Sequence, residues 1–171
     1  MYKTSLFILL FIISASCKTK TEVTRKSTDS ISCPIDGKCS FDVLKNKEVQ
    51  IMKDKFNHTY HQINQADGKL VLLFKYQRND NSRLVDDAYS ESIFIQIDKS
   101  TTNLDLKDEN LKNAKVSFTR MCFCRGATGT YPVKKGRLQL FKSNEEYHLK
   151  LDFVIDETPQ VITSIQETFK I

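Results

Sequence analysis

The strongest constraint in this chain is an alternation of apolar and polar residues with a period of two. In Tyr147-His148-Leu149-Lys150-Leu151-Asp152-Phe153-Val154-Ile155 every odd-numbered residue is apolar, and the even ones are polar until Val154. Successive side chains of a strand point to opposite faces, so this segment is a half-buried strand. Ile93, Ile95 and Ile97 repeat the rule, and Lys69 to Tyr76 opens apolar on both faces, as a central strand does. Val161 to Ile171, Lys115 to Cys124, Arg137 to Phe141 and Glu48 to Met52 carry weaker versions. Asp67-Gly68, Lys135-Gly136 and Ser143-Asn144 fall between such runs and read as turns. With no convincing helical period, these spacings predict an all-β fold, an antiparallel β-sandwich or a small β-barrel of about 7–9 strands. Eleven Phe, six Tyr and no Trp supply an aromatic and aliphatic core for it.

The first residues read as an export signal over 1–16: Lys3, an apolar run from Leu6 to Ile13, then the small residues Ser14-Ala15-Ser16. The run is far short of the roughly 20 apolar residues a membrane span needs. Cys17 follows the small residues directly, and Ser14-Ala15-Ser16-Cys17 resembles the processing site of a bacterial lipoprotein, in the relaxed form similar to Bacteroidota-type lipoproteins, with Ser14 where an aliphatic residue is usual and Ile13 one step back. The resemblance implies that Cys17 is thioether-lipidated, becomes the first residue after cleavage, and is acylated on its new amine. Several acyl chains, each methylene contributing about 0.8 kcal/mol, then make a stable anchor. It further implies a protein of the cell envelope, anchored by lipid in the outer membrane and facing the periplasm, since Lys18-Thr19-Lys20 is unlike the acidic cluster that follows the cysteine in surface-exported members.

Residues 17–32 form the lipidated cysteine and a polar tether without hydrophobic period. Its Lys18, Lys20, Arg25 and Lys26 outnumber Glu22 and Asp29. Each base near an anionic headgroup contributes on the order of 1 kcal/mol. Asp29-Ser30-Ile31 resembles the short acceptor of Bacteroidota O-glycosylation, which would place a glycan on Ser30. Residues 33–171 then form a single β-rich domain, long enough for one core. The net charge of +5 includes Lys3 and the basic tether, and nothing in it calls for nucleic acid. The expected partners are the membrane, through the lipid, and an envelope protein or glycan.

Four cysteines remain after Cys17, namely Cys33, Cys39, Cys122 and Cys124, and an even number in an oxidising compartment reads as disulfides. Residues two apart on an extended strand are about 6.6 Å apart at their α-carbons, the edge of what a disulfide tolerates, so Cys122 and Cys124 are expected to bond elsewhere. Val116 and Phe118 share their face, which points them to the core. Asp36-Gly37 between Cys33 and Cys39 is a turn. That pair either closes locally or reaches the strand pair. The second reading is favoured, as a long loop worth about 4 kcal/mol that ties the start of the domain to the sheet. Spacings of five and one are unusual for a four-thiolate zinc site, and Cys-x-Cys in a strand lacks the helix start of a redox dithiol.

Arg125-Gly126-Ala127-Thr128-Gly129-Thr130-Tyr131-Pro132, flanked by Arg120, Lys134, Lys135 and Arg137, is the candidate contact for an anion or glycan, because two glycines let amides turn toward a ligand beside several bases. The alternative is a structural connection with a solvated basic rim. His58 and His61 would point to opposite faces of a strand, His148 falls on a polar face, and Asp105, Asp108 and Glu109 read as a solvated turn. No catalytic motif, metal site or cofactor is assigned. The reading that results is a lipid-anchored envelope protein acting as a non-catalytic binding or structural module. The alternatives are a periplasmic enzyme or metal-binding protein using Cys122, Cys124 and the Arg125-Gly126 loop, or a carrier with an apolar cavity.

Overall fold

A computed structural model describes residues 33–79 and 88–171. The signal, Cys17, the tether with Ser30, and most of the polar loop expected between Arg78 and Ala88 lie outside the described residues. Nine strands form two antiparallel sheets: β1 (Gly37–Lys53), β2 (Thr59–Arg78), β3 (Tyr89–Asp98), β4 (Asn103–Lys107), β5 (Ser117–Cys122), β6 (Gly129–Pro132), β7 (Lys135–Ser143), β8 (Glu146–Val154) and β9 (Ser164–Phe169). One sheet has the order β1-β2-β3-β5-β6 and the other β4-β7-β8-β9. The fold is a sandwich and not a closed barrel.

The alternation read from sequence sorts the side chains between the layers. Leu70, Leu72, Phe74 and Tyr76 of β2 and Ile93, Ile95 and Ile97 of β3 meet Leu138, Leu140, Leu149, Leu151 and Phe153 of the second sheet. Burying a side chain of this size stabilises by about 1.5–3 kcal/mol. A seven-residue 3₁₀ helix, Asp108–Ala114, joins β4 to β5 and drops Leu111 and Ala114 into the same core. β4, β6 and this helix are additions to the expected elements.

Of the three expected turns only Ser143-Asn144 is a chain reversal: Ser143 pairs with Glu146, and Asn144 takes a φ of 56°. Lys135-Gly136 lies inside β7, where Gly136 sits opposite Phe153 and a β-carbon would come within 2.2 Å of the Asp152 carbonyl oxygen. Asp67-Gly68 lies inside β2, at an irregularity where the β1–β2 register jumps from Lys45↔Leu70 to Lys47↔Gln65. Asn46 (φ 55°) and Gly68 (φ 75°) supply the positive φ values on the two strands, and Asn46 Oδ1 accepts the Gly68 N–H at 3.4 Å.

Beyond this kink the hairpin folds back as an arm, residues 47–65, over the outer face of the five-stranded sheet. Val49, with Leu44 and Ile63, covers Val71, Leu73 and Phe94 there, making a second, smaller core. Val49 N donates to Gln96 Oε1 at 2.9 Å, and Lys115 Nζ lies 3.4 Å from both Val49 O and Glu48 Oε2.

Both disulfides are local. Cys33 bonds Cys39 and Cys122 bonds Cys124, with α-carbons 5.7 Å and 5.3 Å apart. The favoured cross-links are corrected by topology. β2 and β3 lie between β1 and β5, so three inter-strand steps, about 14 Å, separate the pairs. The strand-spacing objection fails because β5 ends at Cys122 and the chain bends at Phe123. Cys122 does pack against the main core, as its shared face with Phe118 requires.

Gly136→Ala is expected to destabilise the domain by roughly 3 kcal/mol or more, since the added carbon meets backbone and adopts an unfavourable φ. Urea denaturation checks this, with a lowered midpoint at unchanged slope as the expected result.

Candidate functional site

The tip of the arm is organised by Asp54, whose Oδ1 accepts the backbone N–H groups of Phe56 (2.8 Å) and His58 (2.9 Å), while Oδ2 lies 3.3 Å from His58 Nδ1. Desolvation pushes the Asp54 carboxyl up, but the His58 and Phe56 amides together outweigh it and hold the pKa below the ordinary value. Alternation then points Thr59, His61 and Ile63 toward the sheet and Tyr60 away from it.

His61 fastens the arm. Its ring centroid lies 4.4 Å from that of Phe94, and its Nδ1 is 3.2 Å from Thr119 Oγ1, which in turn bonds Thr130 Oγ1 at 2.8 Å. Thr130 N donates to Thr59 Oγ1 at 3.2 Å. Burial, and then the charge of Lys75, lower the His61 pKa, so the imidazole is neutral at pH 7.

A cleft runs along each edge of the arm. One, of about 550 Å³, lies between the arm tip and the β5–β6 hairpin and is lined by Asp54, His58, Tyr60, His61, Met121 and Thr128, among others. The other, of about 570 Å³, lies between Val49–Met52 and the 3₁₀ helix, with Lys112, Lys115, Val116 and Val133 on its walls. The first holds most of the hydrogen-bonding side chains: hydroxyls at Thr59, Thr119, Thr128 and Thr130, two imidazoles and a carboxylate, and the half-exposed Tyr60 is also among its lining residues. His58 and His61, assigned to opposite faces by strand geometry, both line it, because His58 precedes β2 and belongs to the tip.

The basic residues singled out in the sequence are mostly engaged by acidic or hydroxyl partners, with Lys134, Lys135 and Arg137 close together at the start of β7 and Arg120 on β5. Arg120 lies on the inner face of β5, donating to Thr158 Oγ1 at 2.9 Å, its guanidinium carbon 5.1 Å from the Tyr89 ring centre. Lys134 pairs with Glu157 at 2.9 Å, Lys135 with Asp156 at 2.6 Å, and Arg137 grips Asp105 through two bonds of 2.9 Å and 2.6 Å. Arg125 is exposed on the β5–β6 loop. The segment after it is partly strand: Thr128 Oγ1 donates to Cys122 O at 2.7 Å, and Thr130 is buried in the hydroxyl chain. Among the described residues no group of three or more His, Cys, Asp or Glu is placed to hold a metal ion.

A second polar centre escaped the sequence reading. Glu91 is wholly buried; its carboxylate accepts Tyr89 OH, Val161 N (2.6 Å) and Ile162 N (2.8 Å), tying the β8–β9 connection to the other sheet. Burial, then this bond to Glu91, raise the Tyr89 phenol to about 12. The only sequence signal was a charged residue on the isoleucine face of β3. Comparison of the chain with known protein families, curated proteins and solved structures finds no match.

The lowered His61 pKa means that the folded state takes up its proton less readily than the unfolded chain. This share of stability is present above the unfolded value of about 6.5 and is lost as pH falls through the folded pKa. Melting temperature measured from pH 7.5 to 5 should fall in the wild type, and His61→Phe, which keeps a ring on Phe94, should flatten that part of the profile.

Proposed function

We propose that this chain is a lipid-anchored envelope protein of the Bacteroidota type, held by acylated Cys17, whose sandwich domain is a non-catalytic binding module for a polyhydroxylated, glycan-like ligand. The ligand lies in the cleft between the arm tip and the β5–β6 hairpin. The observation that carries this reading is the lining of that cleft, which brings together threonine hydroxyls, two imidazoles, the Asp54 carboxylate and the half-exposed Tyr60. Hydroxyls and the neutral His61 imidazole both donate and accept, which suits a ligand made of hydroxyl groups, and an exposed aromatic residue offers a flat apolar contact for a sugar face. The bonded cysteines have no free thiolate for a nucleophile or a zinc ion. The membrane leaflet is proposed from the basic residues after Cys17, as a periplasm-facing outer-membrane anchor.

Calorimetric titration of the mature protein with oligosaccharides released from its own envelope tests the reading. Saturable binding is expected, weakened about tenfold by Tyr60→Ala, a change of about 1.4 kcal/mol, with the oligosaccharide recovered intact by mass spectrometry. Absence of binding, or cleavage of the sugar, would sink the proposal. The mass of the N-terminal peptide should show acyl chains on Cys17.

A further inference from the structure

The described chain enters the domain at one end of the five-stranded sheet. Gly37 pairs with Arg78, Gln77 with Ser90 and Tyr89 with Cys122, so the start of β1, the end of β2, the start of β3 and the end of β5 all lie there. Two short loops closed by disulfides project from this end, Cys33–Cys39 and Cys122–Cys124. Each carries one large apolar side chain with no cover. Ile35 is 102% exposed and Phe123 81%, the highest values of any large apolar residue described.

Neither residue is free to fold back. In the first loop Gly37 N donates to Pro34 O at 3.0 Å, Asn79 N to Asp36 O at 2.8 Å, and Tyr76 OH to Asp36 Oδ1 at 2.9 Å, which pins the turn on both sides of Ile35. In the second, Phe123 is held between two bonded cysteines, and Thr128 Oγ1 fixes the Cys122 carbonyl. Met121, half exposed, stands beside it. Lys38 and Arg125 are exposed in or next to the same loops, while the nearby Asp36 is engaged by Tyr76 and, at 3.6 Å, by Arg78. Among the described residues, rigid apolar tips with the exposed Lys38 and Arg125 beside them match an interface between hydrocarbon and anionic headgroups. They match a protein pocket less well, since the two tips sit on β1 and β5 with two strands between.

We propose that this end of the sandwich docks on the surface of a bilayer containing anionic lipid, with Ile35 and Phe123 entering the acyl boundary. The proposal rests on the reading of Cys17 as the lipid anchor. The tether of residues 18–32 leads from that anchor to Cys33, at the docking end itself. Fully extended it spans about 50 Å, so without a second contact the domain would be free to tumble beneath the membrane. Each apolar side chain buried from water contributes about 1.5–3 kcal/mol, too little to hold a protein alone but enough to orient one already tethered.

The chain contains no Trp, so a single introduced Trp reports alone. The full chain, processed by a lipoprotein-competent host and carrying I35W, F123W or F141W, is reconstituted in vesicles of phosphatidylethanolamine and phosphatidylglycerol with brominated acyl chains. Phe141 is exposed on the outer face of the other sheet and serves as the control. Quenching at positions 35 and 123 of about twofold or more, with none at 141, is the expected result for side chains at the acyl boundary. Acylated protein showing no quenching at 35 and 123 overturns the docking face and leaves the anchor intact. A blue shift there without bromine quenching means a protein contact instead, and equal quenching at all three means unspecific adsorption; either result overturns it. Protein without acyl mass on Cys17 and without quenching removes both readings together.

Discussion

The kink at Asn46 and Gly68 decides the arrangement of everything on the outer face. Between Lys45↔Leu70 and Lys47↔Gln65 the chain advances two residues on β1 and five on β2, so the ladder cannot continue in the plane of the sheet and the hairpin leaves it. Without the arm, Val71, Leu73 and Phe94 would form an apolar patch open to water. A two-stranded ribbon is about 10 Å wide, less than the face of a five-stranded sheet, so a groove is left along each edge of the cover. The clefts are therefore a geometric consequence of covering a broad sheet with a narrow ribbon. What distinguishes them is which side chains the arm and the sheet bring to each edge.

The opposite face of the same sheet is held by different means. Glu91 replaces an apolar side chain on the buried face of β3 and receives two backbone N–H groups that the β8–β9 connection would otherwise bury unpaired. Arg78 and Arg120 lie over the Tyr89 ring, their guanidinium carbons 4.3 Å and 5.1 Å from its centre, and Tyr89 donates to Glu91. An apolar residue at position 91 would pack, but it would orphan both amides, each at about 1–3 kcal/mol. The connection would then have no fixed place between the sheets. With the two disulfides at the same end, this knot stiffens the region from which the exposed loops project.

The main core was legible because one face of each strand is buried and a period of two survives in the sequence. Tyr147 to Phe153 alternate in burial as they alternate in polarity, and Leu70 to Phe74, apolar on both faces, are covered on both, by the second sheet and by the arm. Asp67-Gly68 reads as a turn, and Gly68 does take a positive φ, but local chemistry does not distinguish a reversal from an irregularity in a long hairpin, because that depends on what the next segment packs against. The cysteine pairing was misread for a related reason: strand order sets the distance between Cys39 and Cys122, and strand order is non-local. Of the cleft, the Gly-Thr segment drew notice as a loop and His58 and His61 as histidines on opposite strand faces, whereas Asp54 and Tyr60 carried no signal, and all of them meet only because the arm folds over.

The end proposed to dock and the cleft are neighbours, since Cys124 and Gly126 belong both to the β5–β6 loop and to the cleft wall. A loop that is stiff enough to hold Phe123 outward also fixes one side of the opening. Met121 lines the same cleft and stands next to the disulfide, so contacts on the two sides of this loop share a single support. If the loop rests on a bilayer, the cleft opens beside the headgroups, and a ligand reaching it would come from close to the membrane. On that proposal the tether would set how far the domain can travel, and the loops which way the cleft faces.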